Sequence, residues 1–190
     1  LVPLVDDPIP GMDDNFLYRS GGENKFRDTN ETWLPTELGR WSLGGMIHHL
    51  NALVAIGAST VNSYRRLNDT GMWAPVGASW GLQNRSCAIR VSSPDRFEFR
   101  CVDSMVNPYL MQAALLKAFD DGIDNQLDPG EPEERNFVDV VESGESVERI
   151  PTTLRDALDA LANDEVIKSA LPGHMHEIYD WYKRDEWDRF

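Results

Sequence analysis

Six arginines fall between residues 62 and 100, a stretch that holds three acidic side chains. The basic residues are Arg65, Arg66, Arg85, Arg90, Arg96 and Arg100, and the acidic ones are Asp69, Asp95 and Glu98. Arginine keeps its charge at any working pH, and its planar fork fits carboxylate and phosphate groups. The cluster therefore predicts a multiply anionic ligand. A charge pair gains only about 1 kcal/mol in water but about 4 kcal/mol at an effective dielectric near 20, so the ligand must sit in a cleft.

Two short segments place these charges on predicted strands. In "RFEFRC" the alternation is regular, because Phe97, Phe99 and Cys101 form an apolar face and Arg96, Glu98 and Arg100 form a charged one. In "RSCAIRV" the apolar face is Cys87, Ile89 and Val91. Glu98 either neutralises its neighbours or holds a divalent cation that bridges phosphate oxygens. Spacing alone leaves open a third reading, an ion-pair ladder on a solvated sheet face.

The composition limits the class of partner. The chain has 190 residues and a formal net charge of -14, and residues 120–190 hold 20 of the 32 acidic side chains but only 7 of the 18 basic ones. This balance argues against nucleic acid or an anionic membrane surface as the main partner. No apolar run is long enough for a membrane span. Two cysteines are too few for a disulfide framework, so we expect a reducing compartment, the cytoplasm or an organelle.

Helices must support the two strands. Residues 1–33 are rich in Pro, Gly, Asp and Asn and predict loops, whereas the apolar spacing from Pro35 to about Ala58 predicts one helix, weakened at Gly44 and Gly45. A second helix is predicted from Asn107, as cap, to a stop at Gly122. Further helices are predicted after Thr153 and from His174 to Phe190. His48 and His49 point in two directions, which favours core or edge histidines over metal ligands.

Several motifs occur together in a characteristic order. They are "NSYRRL" at 62–67, "NRSCAIRV" at 84–91, "RFEFR" at 96–100, "NPYL" at 107–110 and "DGIDNQLDPGEP" at 121–132. In this order and spacing they resemble the C-terminal catalytic domain of the glutamine synthetase superfamily. The resemblance implies an α+β fold, with an antiparallel β-sheet backed by helices, that is incomplete in this chain. Residues 1–33 then form a loop-rich upstream part of the catalytic domain, and residues 34–190 its C-terminal part.

The resemblance also implies an activity and a set of site residues. The activity is ATP-dependent ligation of an amine to the γ-carboxylate of glutamate through γ-glutamyl phosphate, with Mg²⁺ or Mn²⁺ and a homo-oligomer or larger assembly. Arg66 and Arg100 match contacts to glutamate, and Arg66 and Arg85 have catalytic roles. Arg85, Arg90 and Arg96 match arginines that contact ATP, and Glu98 matches a ligand of the magnesium ion on the ATP side.

The sequence departs from the family pattern at two of these positions. Trp73 stands where glutamine synthetases have a glutamate that helps to bind ammonium, which resembles the γ-glutamyl-amine ligase branch and implies an organic amine as substrate. Asp13 stands where the family has a metal-site histidine, and aspartate is itself a suitable magnesium ligand. The paired metal-binding glutamates of the family have no counterpart in the chain. These residues alone are thus not expected to be active, and the alternative is a catalytically silent subunit or fragment with a structural role.

Overall fold

We describe the protein from a computed structural model that covers residues 12–16, 19–20, 23–26, 33–67, 74–146 and 148–190. The strands are β1 (Met12–Phe16), β2 (Arg19–Ser20), β3 (Glu23–Asn24), β4 (Gly77–Leu82), β5 (Cys87–Ser93) and β6 (Arg96–Val102). The helices are α1 (Glu37–His48), α2 (Leu50–Gly57), α3 (Ser63–Leu67), α4 (Pro108–Asp124), α5 (Phe137–Glu142), α6 (Leu154–Ala162), α7 (Glu165–Lys168) and α8 (Met175–Asp188).

Four strands form one sheet in the order β1-β6-β5-β4. The pairings of β1 with β6 and of β6 with β5 are antiparallel, whereas β4 pairs with β5 in parallel. The α+β class and the helices behind the sheet are confirmed. The expectation of an antiparallel sheet is wrong in part, because one strand pair is parallel and the sheet is mixed. Four residues, 83–86, join β4 to β5, which is short for a parallel pair, because such pairs ordinarily need a connection of a dozen or more residues.

The core lies between the sheet and helices α1, α2 and α4. Phe97 and Phe99 are buried on β6, as the alternation predicted, and Phe26 stacks on Phe97 with 4.7 Å between ring centroids. The helix predicted from Pro35 to Ala58 is two helices in the structure, because α1 ends at His48 and α2 begins at Leu50. Burying large aromatic and aliphatic side chains of this kind contributes about 1.5 to 3 kcal/mol each.

Helices α1 and α4 cross at two glycines. A Cβ atom at Gly45 would overlap the carbonyl oxygen of Ala118, and one at Gly122 would overlap that of Trp41. A Cβ at Gly44 would overlap the carbonyl oxygen of Leu127, which follows α4. The expected helix stop at Gly122 is therefore wrong, because Gly122 lies inside α4, which continues to Asp124. The predicted N-terminus of α4 is confirmed, since the Asn107 side chain accepts hydrogen bonds from the amides of Tyr109 and Leu110.

His49, at the junction of α1 and α2, connects two other helical segments. Its Nδ1 lies 2.7 Å from Oδ2 of Asp164, and its Nε2 lies 3.1 Å from Oδ2 of Asp121. Since an ionised carboxylate oxygen only accepts, both contacts favour an imidazole that is protonated on both nitrogens. Burial lowers the pKa of His49, but the hydrogen bonds to Asp164 and Asp121 outweigh it and raise the pKa above its ordinary value. The histidine is thus a core residue, as predicted, and its two partners favour the charged form.

The C-terminal helices pack on this core with the caps that their sequence indicates. Thr153 Oγ1 accepts a hydrogen bond from the amide of Asp156 at the start of α6. On α8 the hydroxyl of Tyr179 donates to the carbonyl of Ala55, whereas Ile178, Trp181 and Tyr182 are exposed. In the part of the chain that the structure describes, no helix combines the length and apolarity that crossing a membrane requires.

The glycine crossing gives a direct prediction for stability. We expect Gly45→Ala to lower the free energy of unfolding by about 3 kcal/mol or more, because the added methyl group must displace the backbone of α4. Gly144→Ala is the control, since Gly144 has a φ of 79° with no neighbour within 4 Å. That change should cost only the left-handed backbone strain of about 1 to 2 kcal/mol. Urea unfolding checks both, and equal losses would contradict the packing argument.

His49 makes stability depend on pH. Its pKa is raised in the folded state, so its contribution is fully present below the ordinary histidine value of about 6.5 and is lost as the pH rises through the folded-state pKa. We expect the free energy of unfolding, measured in urea between pH 6 and pH 9, to fall with pH, and to fall less in His49→Gln. His174→Gln removes an exposed histidine and should leave the pH dependence as in the wild type.

Candidate active site

A row of cross-strand neighbours runs across the whole sheet. Arg90 on β5 pairs with Gly81 on β4 and with Glu98 on β6, and Glu98 pairs in turn with Asn15 on β1. Arg96 and Arg100 lie two residues on either side of Glu98 along β6, so the strand alternation places them on the same face. The structure therefore brings the charged faces of the two predicted strands side by side.

Glu98 is the centre of this charged face. Its side chain is buried, Nη2 of Arg90 lies 2.9 Å from Oε2, and Nε of Arg100 lies 3.1 Å from Oε1. Each carboxylate oxygen thus accepts from a different guanidinium. Removing a charge from water is costly unless it is paired and hydrogen-bonded, and here the two arginines compensate Glu98.

Arg100 joins this ion pair to two further arginines. Its Nη1 donates to the backbone carbonyl of Arg85 in the turn between β4 and β5. The backbone carbonyls of Arg100 and Val102 accept hydrogen bonds from Nη2 of Arg66, at 3.3 and 2.8 Å. Arg66 lies on the short helix α3 and is buried. One connected network therefore contains Arg66, Arg85, Arg90, Glu98 and Arg100.

The arginines of the cluster differ in exposure. Arg66 and Arg100 are buried, Arg90 is partly buried, and Arg85 and Arg96 are exposed. Arg96 donates from Nε to the hydroxyl of Ser92 at 3.2 Å. Among the described residues, the buried Nε of Arg90 has no acceptor. Arg85 and Arg96 thus expose guanidinium groups beside the network, and such groups suit an anion with several negative oxygens.

A metal ion needs more ligands than this face provides. Within the described ranges, no group of three His, Cys, Asp or Glu side chains is placed to hold a metal. Glu98 is a single carboxylate whose two oxygens already accept from guanidiniums. These residues therefore do not form a complete magnesium site by themselves.

The side chains of two predicted site residues lie outside what the structure describes. Trp73 lies outside the described residues. Asp13 belongs to β1, where the pairing shifts between Met12, opposite Val102, and Asp14, opposite Phe99. This irregularity puts the backbone of residue 13 beside the Arg100 end of β6, while its side chain lies outside what the structure describes. The metal role of Asp13 and the substrate role of Trp73 remain predictions.

The residues that hold the turn of Arg85 were not among the predicted site residues. Asn84 Oδ1 accepts hydrogen bonds from the amide and the hydroxyl of Ser86, at 3.0 and 2.7 Å. The signal was available in "NRS", because asparagine bonded to the backbone two residues on is a common turn. Cys87, which follows, is no nucleophile, since burial raises its pKa to about 11.

The fold and the site together define an α+β domain with an arginine-rich cluster around a buried glutamate on its sheet. The chain belongs to the family described as "Glutamine synthetase, catalytic domain", whose sequence model matches residues 11–190. It is 38% identical over 201 residues to a glutamine synthetase of Archaeoglobus fulgidus, covering 99% of this chain and 41% of that protein. It is 43% identical over 155 residues to one of Methanocaldococcus jannaschii, covering 78% and 34%.

Solved structures give the same relationship. The structure described as "GmaS/ADP complex-Conformation 1" superposes with a TM-score of 0.86 at 35% identity and covers 95% of this chain and 43% of that one. "Apo GmaS without ligand" superposes with a TM-score of 0.84 at 34% identity, with coverages of 95% and 42%. The chain thus spans about two fifths of the length of these relatives.

We expect the buried carboxylate of Glu98 to contribute strongly to the free energy of unfolding. Glu98→Ala leaves the guanidiniums of Arg90 and Arg100 without their shared partner, and we expect it to lower the free energy of unfolding by about 3 to 5 kcal/mol. Glu23→Ala is the matched control, because it breaks an exposed ion pair with Lys25 and should leave urea unfolding unchanged. A loss no larger in Glu98→Ala than in Glu23→Ala would show that the network contributes little.

Proposed function

We propose that the protein of which this chain is part is an ATP-dependent ligase that joins an amine to the γ-carboxylate of glutamate. The observation that carries the proposal is the arginine network around buried Glu98. Exposed Arg85 and partly buried Arg90 belong to this network, and clustered guanidinium groups are suited to a ligand with several negative oxygens. Family membership supports the reaction class, and the relative described as an ADP complex supports a nucleotide ligand.

The proposed reaction has two steps. An oxygen of the glutamate γ-carboxylate attacks the terminal phosphorus of ATP, ADP leaves, and an acyl phosphate forms. The amine then attacks the acyl carbon, phosphate leaves, and the nitrogen loses a proton as the amide forms. Both steps move negative charge among oxygens, so fixed cationic donors lower the barrier more than any covalent group would.

The arginines divide this work in our proposal. Exposed Arg85 and partly buried Arg90 face the phosphates, and Arg96 lies further along the same face for another nucleotide contact. Arg66 and Arg100, at the far end of β6, hold the glutamate. Glu98 is proposed as one ligand of a Mg²⁺ or Mn²⁺ ion that would neutralise phosphate charge. The other ligands must come from Asp13 or from parts of the protein beyond the described residues.

Trp73 supports an organic amine as the acceptor. A tryptophan in place of the expected glutamate removes the anionic side chain that would attract a small ammonium ion. It supplies in exchange a large apolar surface suited to a substituted amine. We therefore propose glutamate and an organic amine as substrates, within a homo-oligomer in the cytoplasm or an organelle.

A second function, a catalytically silent structural subunit, is favoured by one observation. The described residues do not include three potential metal ligands in one place. A subunit that keeps the fold and the arginine network without completing the metal site would contribute structure to a larger assembly and no turnover.

The deciding experiment measures glutamate-dependent ADP release by the full-length natural protein with ammonia and a panel of organic amines. We expect turnover with an organic amine to exceed that with ammonia. Equal or better turnover with ammonia would refute the organic acceptor, and no ADP release with any amine would leave the silent subunit.

Arg85→Ala tests the role of the exposed arginine. Removing one donor to the transferring phosphoryl group should lower kcat by about 100-fold or more. The free energy of unfolding should change by less than about 0.5 kcal/mol, because the side chain is exposed. Arg155→Ala, on the exposed face of α6, is the control for loss of a surface arginine and should retain wild-type kcat. A wild-type kcat in Arg85→Ala would remove that residue from the mechanism.

A further inference from the structure

The turn that carries Arg85 is held by the side chain of Asn84. Its Oδ1 accepts from the amide and hydroxyl of Ser86, which closes the turn locally. Its Nδ2 donates to the backbone carbonyls of Glu133 and Arg135, both at 2.8 Å. One amide group thus satisfies four partners and links the Arg85 turn to a segment about fifty residues further along the chain.

That segment, residues 133–137, is here called the bracing segment. The amide of Glu133 donates to the carbonyl of Trp80 at 2.8 Å, and the amide of Phe137 donates to the hydroxyl of Ser86 at 3.1 Å. At Gly81 a Cβ atom would overlap the carbonyl oxygen of Glu133. The bracing segment can pack against β4 because Gly81 has no side chain.

Arg135 holds the conformation of the bracing segment through ion pairs. The Arg135 guanidinium contacts the carboxylates of Glu133 and Glu145, each at 2.9 to 3.0 Å. The hydrogen bond from Arg135 lowers the pKa of the Glu133 carboxylate, which favours its ionised, paired form. The bracing segment is thus a fixed support for the turn.

The ion-pair network of Glu98 and Arg100 also holds the Arg85 turn. Nη1 of Arg100 donates to the Arg85 carbonyl, and Nε of the same guanidinium donates to Glu98. The backbone of Arg85 is therefore fixed between the ion-pair network on one side and Asn84 with the bracing segment on the other. Its exposed side chain projects from a backbone that cannot shift without breaking one of these sets of hydrogen bonds.

We propose that Asn84 is a positioning residue, which acts through the bracing segment to hold Arg85 where it meets the phosphates of the nucleotide. This inference rests on the proposed function for the ligand and on the geometry for the positioning. A displacement of about 1 Å in a catalytic group can cost about 100-fold in rate, so Asn84 affects turnover without touching the substrate.

A double-mutant cycle in the full-length protein tests the route of the effect. We expect Asn84→Ala to lower kcat/KM for ATP by about 10- to 100-fold, and to change it by less than about twofold when Arg85 is already alanine. An equal factor in both backgrounds means that Asn84 does not act through Arg85, and the proposal fails. Asn163→Ala removes an amide that donates to the carbonyl of Asp159 at the end of α6, and should retain wild-type kcat/KM.

Asn84→Asp separates the local turn from the bracing segment. Aspartate keeps the acceptor for Ser86 but presents an oxygen to the carbonyls of Glu133 and Arg135, so it preserves the turn and breaks the link. We expect it to lower kcat/KM as Asn84→Ala does. A wild-type value for Asn84→Asp would show that the bracing segment is not needed.

Hydrogen exchange tests the positioning independently of activity. In Asn84→Ala the amides of Ser86, Glu133 and Phe137 should exchange at least tenfold faster, whereas in Asn163→Ala they should exchange as in the wild type. If the wild type releases no ADP, the proposed function fails and this measurement still decides whether Asn84 holds the turn. Unchanged exchange at these amides would overturn the proposal whatever the activity.

Discussion

The contact between α1 and α4 is the constraint on which the rest of the structure depends. Because Gly45 and Gly122 lack side chains, the two helices meet backbone to backbone and form a thin, rigid layer. The sheet packs its aromatic face, with Phe97 and Phe99, against this helical layer. One face of β6 therefore packs in the core. Because side chains alternate along a strand, Arg96, Glu98 and Arg100 lie on the opposite face of the sheet. The position of the charged site thus follows from how closely two helices approach on the far side of the sheet.

The charged face is stable only because its components restrain one another. Neighbouring guanidiniums repel, and a buried carboxylate is costly unless it is paired. Glu98 offsets both effects, since its two oxygens accept from Arg90 and Arg100, and Arg100 in turn donates to the carbonyl of Arg85. Acidic side chains are concentrated in residues 120–190, whereas the arginine cluster lies in residues 62–100. The net charge of the whole chain therefore gives no indication of the local positive charge.

Sequence reasoning recovered what depends on local patterns. The alternation in β6, the Asn107 and Thr153 caps and the exposed helix α8 all follow from neighbouring residues, and they were predicted. Failures occurred where distant segments decide the outcome. Gly122 looks like a helix stop until α1 is seen against it, and His49 at the helix break contacts carboxylates more than seventy residues away. The link from Asn84 to residues 133 and 135 could not be predicted either, although the turn itself could. Family resemblance supplied the proposed roles of the arginines, which spacing alone left undecided.

The site is therefore organised before any ligand arrives, and this has an energetic consequence. Donors fixed by the fold need little reorganisation as charge develops on a phosphoryl group, whereas mobile side chains in water must first be ordered. Arg100 is fixed by Glu98 and by the Arg85 carbonyl, and the backbone of Arg85 is fixed by Asn84 and the bracing segment. The exposed side chains of Arg85 and Arg96 are what a ligand would still have to order. In the proposed reaction, hydrogen bonds within the fold would thus hold the arginines in place, and their charge would act on the phosphate.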